Sequence, residues 1–168
     1  FYHIAMLIEA GRVKAAIRLY KRESEKAKFR HWYFDDFASK VLVLVKEPQP
    51  YLDEVEKVLR LFIKANKKVV SPLYLISQLS PLLQVEGPNQ EVFARWLVAM
   101  LKKHHKENMP LRERFIKQVE RFFRNLQRFD FLAGEDKEFL KGIQEELEDK
   151  EKSSSANSAL TTGAQLTK

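Results

Sequence analysis

The chain has 168 residues, and its 30 Lys and Arg against 23 Asp and Glu give a net charge of +7. It contains no cysteine, which excludes disulfide frameworks, thiolate metal sites and thiol nucleophiles. Hydrophobic residues make up 45%, as in ordinary globular domains, and the longest purely aliphatic run, Val41 to Val45, is far too short to cross a bilayer.

Apolar residues recurring every three or four positions predict helices along almost the whole chain. Phe1 to Glu9 is the first and stops near Ala10-Gly11. The second runs from Val13 to about Lys28, with Val13, Ile17, Tyr20, Ser24 and Ala27 on one side. The third, His31 to Lys46, ends at Pro48-Gln49-Pro50; its Val-Leu-Val-Leu-Val centre has strand character but no second β-rich run to pair with. The fourth extends from about Pro50 to Asn66 and aligns Leu52, Val55, Leu59 and Phe62. The fifth opens at Ser71-Pro72, a capping serine followed by a proline suited to the first helical position, and reaches about Leu83 with a kink expected at Pro81. The sixth follows Gly87-Pro88-Asn89 and ends near Lys106, the seventh starts at Pro110 and the eighth after Gly134.

Helix starts at 31, 72 and 110, each pair separated by another helix, suit antiparallel helical hairpins too small to bury their own apolar faces. The expected architecture is therefore all-α, about eight helices stacked as antiparallel hairpins in an α-solenoid-like segment; a compact irregular bundle would give the same linear pattern. Charge divides the chain further. Residues 1–134 hold 25 cations against 15 acids and read as a basic helical domain, whereas residues 135–152 hold 8 acids against 4 lysines and read as an acidic terminal helix. Residues 153–168, with no aromatic and two leucines, offer little apolar surface and are expected to be a disordered tail.

The segment Ile8-Glu-Ala-Gly-Arg-Val-Lys-Ala-Ala-Ile-Arg-Leu-Tyr20 resembles the turn and second helix of a tetratricopeptide or pentatricopeptide repeat. Gly11, Ala16 and Tyr20 occupy the places of the helix-ending glycine, the small residue at the helix crossing and the aromatic packed between the helices. The resemblance spans about 20 residues and implies an α-solenoid acting as a binding scaffold. Tyr2 stands near the place where a pentatricopeptide repeat carries a polar base-reading residue.

The seventh helix carries the clearest candidate surface. Phe115, Val119, Phe122, Leu126 and Phe129 form an apolar stripe, and Arg114, Lys117, Arg121, Arg124 and Arg128 lie on average opposite to it at 100° per residue. Arginine forks onto phosphate or carboxylate better than lysine does. Glu113 and Glu120 lie toward the edge of this basic stripe. A second basic line, Lys14, Arg18, Lys21 and Lys28, marks the second helix, and Lys26, Lys64, Lys67, Lys68, Lys102, Lys103 and Lys106 add positive charge. Glu145, Glu146, Glu148 and Asp149 of the eighth helix are an intramolecular candidate for pairing with the basic stripe. Tyr2, Tyr33, Tyr74, Trp32 and Trp96 are expected in core or interface packing rather than as base-stacking platforms.

No phosphate-binding loop, dinucleotide fingerprint, H-E-x-x-H or G-x-S-x-G occurs. His104 and His105 are adjacent, so their side chains diverge by about 100° on a helix, and His3 and His31 lack an acidic ligand set. Asp35-Asp36 and Asp53-Glu54 suit helix starts, where they favour the positive end of the dipole. The sequence thus points to a non-enzyme without cofactor, metal or small-molecule substrate: a scaffold for protein partners in a larger complex, with RNA contacted through phosphate as the alternative. Nothing resembling a signal peptide opens the chain, so an intracellular setting is expected, with cytoplasm, nucleus and mitochondrial matrix equally open. Phe1 already stands in an apolar segment, which reads as part of something longer.

Overall fold

Gly11 sets the first turn of the chain. Its φ of +70° lies in the left-handed region, where an L side chain is strained. The Gly11 N–H donates to the Ile8 carbonyl at 2.9 Å and the Arg12 N–H to the Leu7 carbonyl at 2.8 Å, the reciprocal pair that closes a helix on a glycine. The helix so ended, α1 (Tyr2–Glu9), turns back into α2 (Val13–Glu25), and the two pack together. In the computed structural model, which describes residues 2–25, 34–65, 71–106 and 111–163, the later helices are α3 (Phe34–Leu44), α4 (Gln49–Ala65), α5 (Pro72–Ser77), α6 (Pro88–His104), α7 (Glu113–Gln127) and α8 (Gly134–Gly163). No strand occurs among the described residues, so the fold is all-α.

The chain divides into two compact units, Phe1–Pro110 and Leu111–Lys168. The boundary thus lies at 110/111 rather than at the expected 134, because α7 packs on α8 and forms a hairpin with it. In the first unit α1 touches both α2 and α3, α2 touches α4, and α3 touches α4. Ala16, without a side chain to hold the helices apart, is fully buried in α2. Tyr20, also fully buried, stacks on Phe37 of α3 with ring centroids 3.8 Å apart, joining the first hairpin to the second. The Val-rich stretch is helical as far as Leu44.

Where a single helix with a kink was expected over 72–83, two pieces stand instead: α5, and a 3-10 segment at Ser80–Gln84 with Pro81 at its start. Proline lacks an N–H and its ring crowds the preceding turn, so the α-helix stops ahead of it rather than bending through it. Both pieces pack on α6, and the 3-10 segment also meets α3. Pro72 fits the first turn as expected, but Ser71 makes no side-chain capping bond; its carbonyl accepts from the Leu75 N–H at 3.1 Å.

In the second unit α8 runs on to Gly163, past Lys152, where a disordered tail was expected to begin. Residues 153–163 contain no proline, and Ala156, Ala159 and Leu160 are good helix formers, so each added residue gains a backbone bond on an existing helix. Ser153 Oγ donates to the Asp149 carbonyl at 2.9 Å, and Ser154 Oγ donates to Glu113 on α7. The scarcity of apolar residues in this stretch is expressed as exposure: Ser153 and every residue from 155 to 160 are exposed, Leu160 at 73%.

Candidate functional site

Burial on α7 follows its periodicity. Ile116, Val119, Phe122, Phe123 and Leu126 are buried. The buried face is rotated toward Ile116 and Phe123 relative to the stripe drawn from the sequence, and Phe115 and Phe129 at its ends are only half-buried. Phe115 lies under the Arg114 guanidinium, 4.6 Å from the ring centre, and Phe129, beyond the helix end, stacks on Phe131 at 4.9 Å. On the side away from the core, Arg114, Lys117, Arg121, Arg124 and Arg128 are all exposed. Among the described residues none of the five side chains has an ion pair or hydrogen bond; along the stripe successive like charges stand three or four residues apart, with Glu113 and Glu120 at its edge one turn from Lys117 and Arg124.

The acidic helix does not neutralise this face. α8 packs on α7 through Leu140, Ile143 and Leu147, which are buried. Its Glu148 and Glu151 act instead on Glu120, a half-buried carboxylate whose Oε1 is without a hydrogen-bond partner among the described residues. Burial pushes the Glu120 carboxyl above the usual range; the charges of Glu151 and Glu148 push it further, and Arg124 and Lys117 offset part of the rise. Gln127 and Gln144 join the two helices by an amide hydrogen bond of 3.1 Å.

On α2, Lys14 and Arg18 are exposed and Lys21 is half-buried; Lys28 lies outside the described residues. So do Lys26, Lys67, Lys68, His31, Trp32 and Tyr33. Lys103 is not a free surface cation. Its Nζ reaches Glu56 Oε1 at 2.8 Å, and the Arg60 guanidinium reaches the same oxygen at 2.6 Å. The Glu56 side chain is only 8% exposed. Burial alone would raise its pKa, but the hydrogen bonds and charges of Lys103 and Arg60 outweigh that and hold it below the ordinary value. This cluster ties α4 to α6, and sequence reasoning missed it. The signal was present: Glu56 stands among Leu52, Val55, Leu59 and Ile63 at buried helical spacing, where a carboxylate needs a partner. Of the acid pairs, Asp53-Glu54 lies beyond the first turn of α4, which begins at Gln49, and Glu54 bonds Lys57 at 2.6 Å instead.

A second missed feature is an open groove of about 760 Å³ between α1 and α2. Met6, Leu7, Ala10 and Leu19 supply its apolar floor and walls, with Arg12, Arg22, His3 and Glu23 around them. Tyr2 is 76% and Met6 50% exposed, so of the two settings expected for Tyr2, core or interface, the core is excluded. Tyr74 is half-buried and Trp96 buried. The signal for the groove was α1 itself, whose only formal charge is Glu9 and which buries only Ile4 and Ile8. A short helix apolar on nearly every side leaves a greasy face that its own hairpin does not cover.

At 100° per residue, Lys14 and Lys21 lie on the opposite flank of α2 from Leu19, whereas Arg18 stands one turn before the groove-lining Arg22 and borders the groove. Among the described residues no group of three or more His, Asp or Glu is placed to hold a metal, and no helix is long and apolar enough to cross a membrane. No protein-family model, curated protein or solved structure matches the chain.

Proposed function

We propose that this chain is a non-catalytic helical scaffold that holds protein partners within a larger assembly, its hairpins stacked in the manner of an α-solenoid. The packing of α1 on α3 and of α2 on α4, each helix meeting the one two places along, supports that stacking within the first unit. The left-handed Gly11, the buried Ala16 and the Tyr20–Phe37 stack support a first hairpin of the tetratricopeptide or pentatricopeptide kind.

The observation that carries the interaction role is the α7 face. Five exposed cations at three- and four-residue spacing repel one another, which costs a few tenths of a kcal/mol per adjacent pair. A face left in that state, beside an acidic helix that does not pair with it, is suited to an anionic partner. Replacing Arg114, Lys117, Arg121, Arg124 and Arg128 by Gln leaves the fold intact, by circular dichroism, and releases the partner in a pull-down. Full retention of the partner by that variant marks the face as solvated surface only.

RNA binding is the second reading, favoured by the four arginines among the five cations. Nuclease treatment before the pull-down separates the two. A protein partner persists after nuclease, whereas a complex held through RNA disappears. For RNA, affinity also falls steeply with salt, with a log–log slope of about −3.5 if five single-strand phosphates are neutralised.

A further inference from the structure

We propose that the α1–α2 groove is a docking site for an amphipathic helix that carries acidic residues on both sides of its apolar stripe. The proposal deepens the scaffold reading and rests on it, but it concerns a different surface from the α7 face.

The groove's shape argues for side chains of a macromolecule rather than an enclosed small molecule. It holds about 760 Å³ and is open along one side, with Met6, Leu7 and Leu19 as its apolar centre. An exposed apolar line, Tyr2 and Met6, runs along α1 at four-residue spacing and widens the greasy surface beyond the groove itself. A helix laid between two helices presents residues at i, i+3, i+4 and i+7 to such a surface. The other common mode, an added β-strand, needs a sheet edge, and none exists among the described residues.

Charge fixes the chemistry of the occupant. In the antiparallel hairpin Arg12 stands at the turn end of the groove, while Arg22 stands at the other end beside His3. Arg12 is exposed and makes no ion pair among the described residues. The Arg22 guanidinium is 67% exposed and lies 3.5 Å from Glu23, the only carboxylate lining the groove. Ten residues separate the two arginines, and at 1.5 Å per residue their backbones are about 15 Å apart. A partner helix with carboxylates about ten residues apart, flanking two apolar turns, meets both. A basic helix would bring like charge to both ends.

The test is a selection of 16-residue peptides from a random displayed library on the whole chain, followed by affinity measurement of the enriched peptides by fluorescence anisotropy. The expected consensus has apolar residues at helical spacing and Asp or Glu at both flanks. Met6→Glu, at a half-exposed position, weakens these peptides at least tenfold while the circular dichroism spectrum is unchanged. Arg12→Glu with Arg22→Glu, at exposed positions, switches the preference toward peptides with Lys at the flanks. Lys14→Gln and Lys21→Gln, on the opposite flank of α2, change nothing. Absence of enrichment, a consensus without acids or with strand periodicity, or peptides bound equally by the Met6 variant would each overturn the proposal. Failure here with an intact loss of partner in the α7 variant removes the groove and leaves the scaffold; the reverse pair of results removes the α7 face and leaves the groove.

Discussion

Glu56 in the first unit and Glu120 in the second are both carboxylates on the inner part of an amphipathic helix, yet the chain treats them in opposite ways. Glu56 is met by Lys103 from another helix and by Arg60 from one turn along. Among the described residues Glu120 feels the like charges of Glu148 and Glu151 and has an orphaned oxygen, while the cations beside it on the same helix, Lys117 and Arg124, offset that only in part and form no ion pair. In the first unit a buried charge is used to hold helices together. In the second, charges are sorted by face, basic outward on α7 and acidic along α8, and most are left for solvent or a partner. A cation that ends in an internal pair is structural, and a row that does not is available.

The largest expected effect lies on the paired side. Glu56→Ala leaves two cations without their shared anion and destabilises the first unit by about 2 kcal/mol, reduced from the value for a fully buried pair because both partners are about half exposed. Denaturant unfolding at neutral pH measures it. Because the folded pKa of Glu56 is depressed, this stability is present above the unfolded carboxylate value, about 4.3, and is lost as the pH falls through the lower folded value. An Ala variant as stable as the wild type at pH 7 would erase the contrast.

The unpaired side predicts smaller effects of opposite sign. Replacing the five α7 cations by Gln relieves the repulsion between adjacent members, loses the smaller attraction to Glu113 and Glu120, and stabilises the second unit by about 0.5 kcal/mol in low salt. Glu120→Gln is smaller still, a gain of about 0.3 kcal/mol at pH 7, because removing the like charge beside Glu148 and Glu151 also removes the attraction to Arg124 and Lys117. Here the folded pKa is raised, so the folded chain holds its proton more tightly than the unfolded one. The penalty is fully present above the folded pKa and vanishes below the unfolded value, and the difference between Glu120→Gln and wild type closes below about pH 4. A pH-independent difference would mean that the gain comes from packing.

These two carboxylates also mark how far the sequence could be read. The periodicity of α7 placed its cations on the exposed side and Val119, Phe122 and Leu126 in the core, but it missed the rotation of the buried face toward Ile116 and Phe123. The Gly11 turn was equally local, needing only a left-handed residue between two apolar segments. Glu56 was hidden because its partner Lys103 is 47 residues away and looks like any other surface lysine. The 110/111 boundary was masked by a charge shift that falls at 134, inside the α7–α8 hairpin rather than between units. The end of α8 was missed because low apolar content reports burial, whereas helix continuation needs only the absence of a breaker. The α1–α2 groove escaped notice because an apolar periodicity such as that of α1 does not say which of its sides a neighbour covers, and α2 and α3 leave Tyr2 and Met6 exposed.

The central claim is that repulsion among the α7 cations outweighs what Glu113 and Glu120 offset on the same helix, and salt tests it most directly. Unfolding of the wild type and of the five-Gln variant is compared from 20 mM to 1 M NaCl with the second unit's transition followed. The wild type is predicted to be the less stable of the two at low salt, with the gap of about 0.5 kcal/mol closing as the ions screen the stripe. A wild type that is more stable than the variant at low salt, and loses that advantage as salt rises, would show the arginines already paired within the chain and would contradict the account.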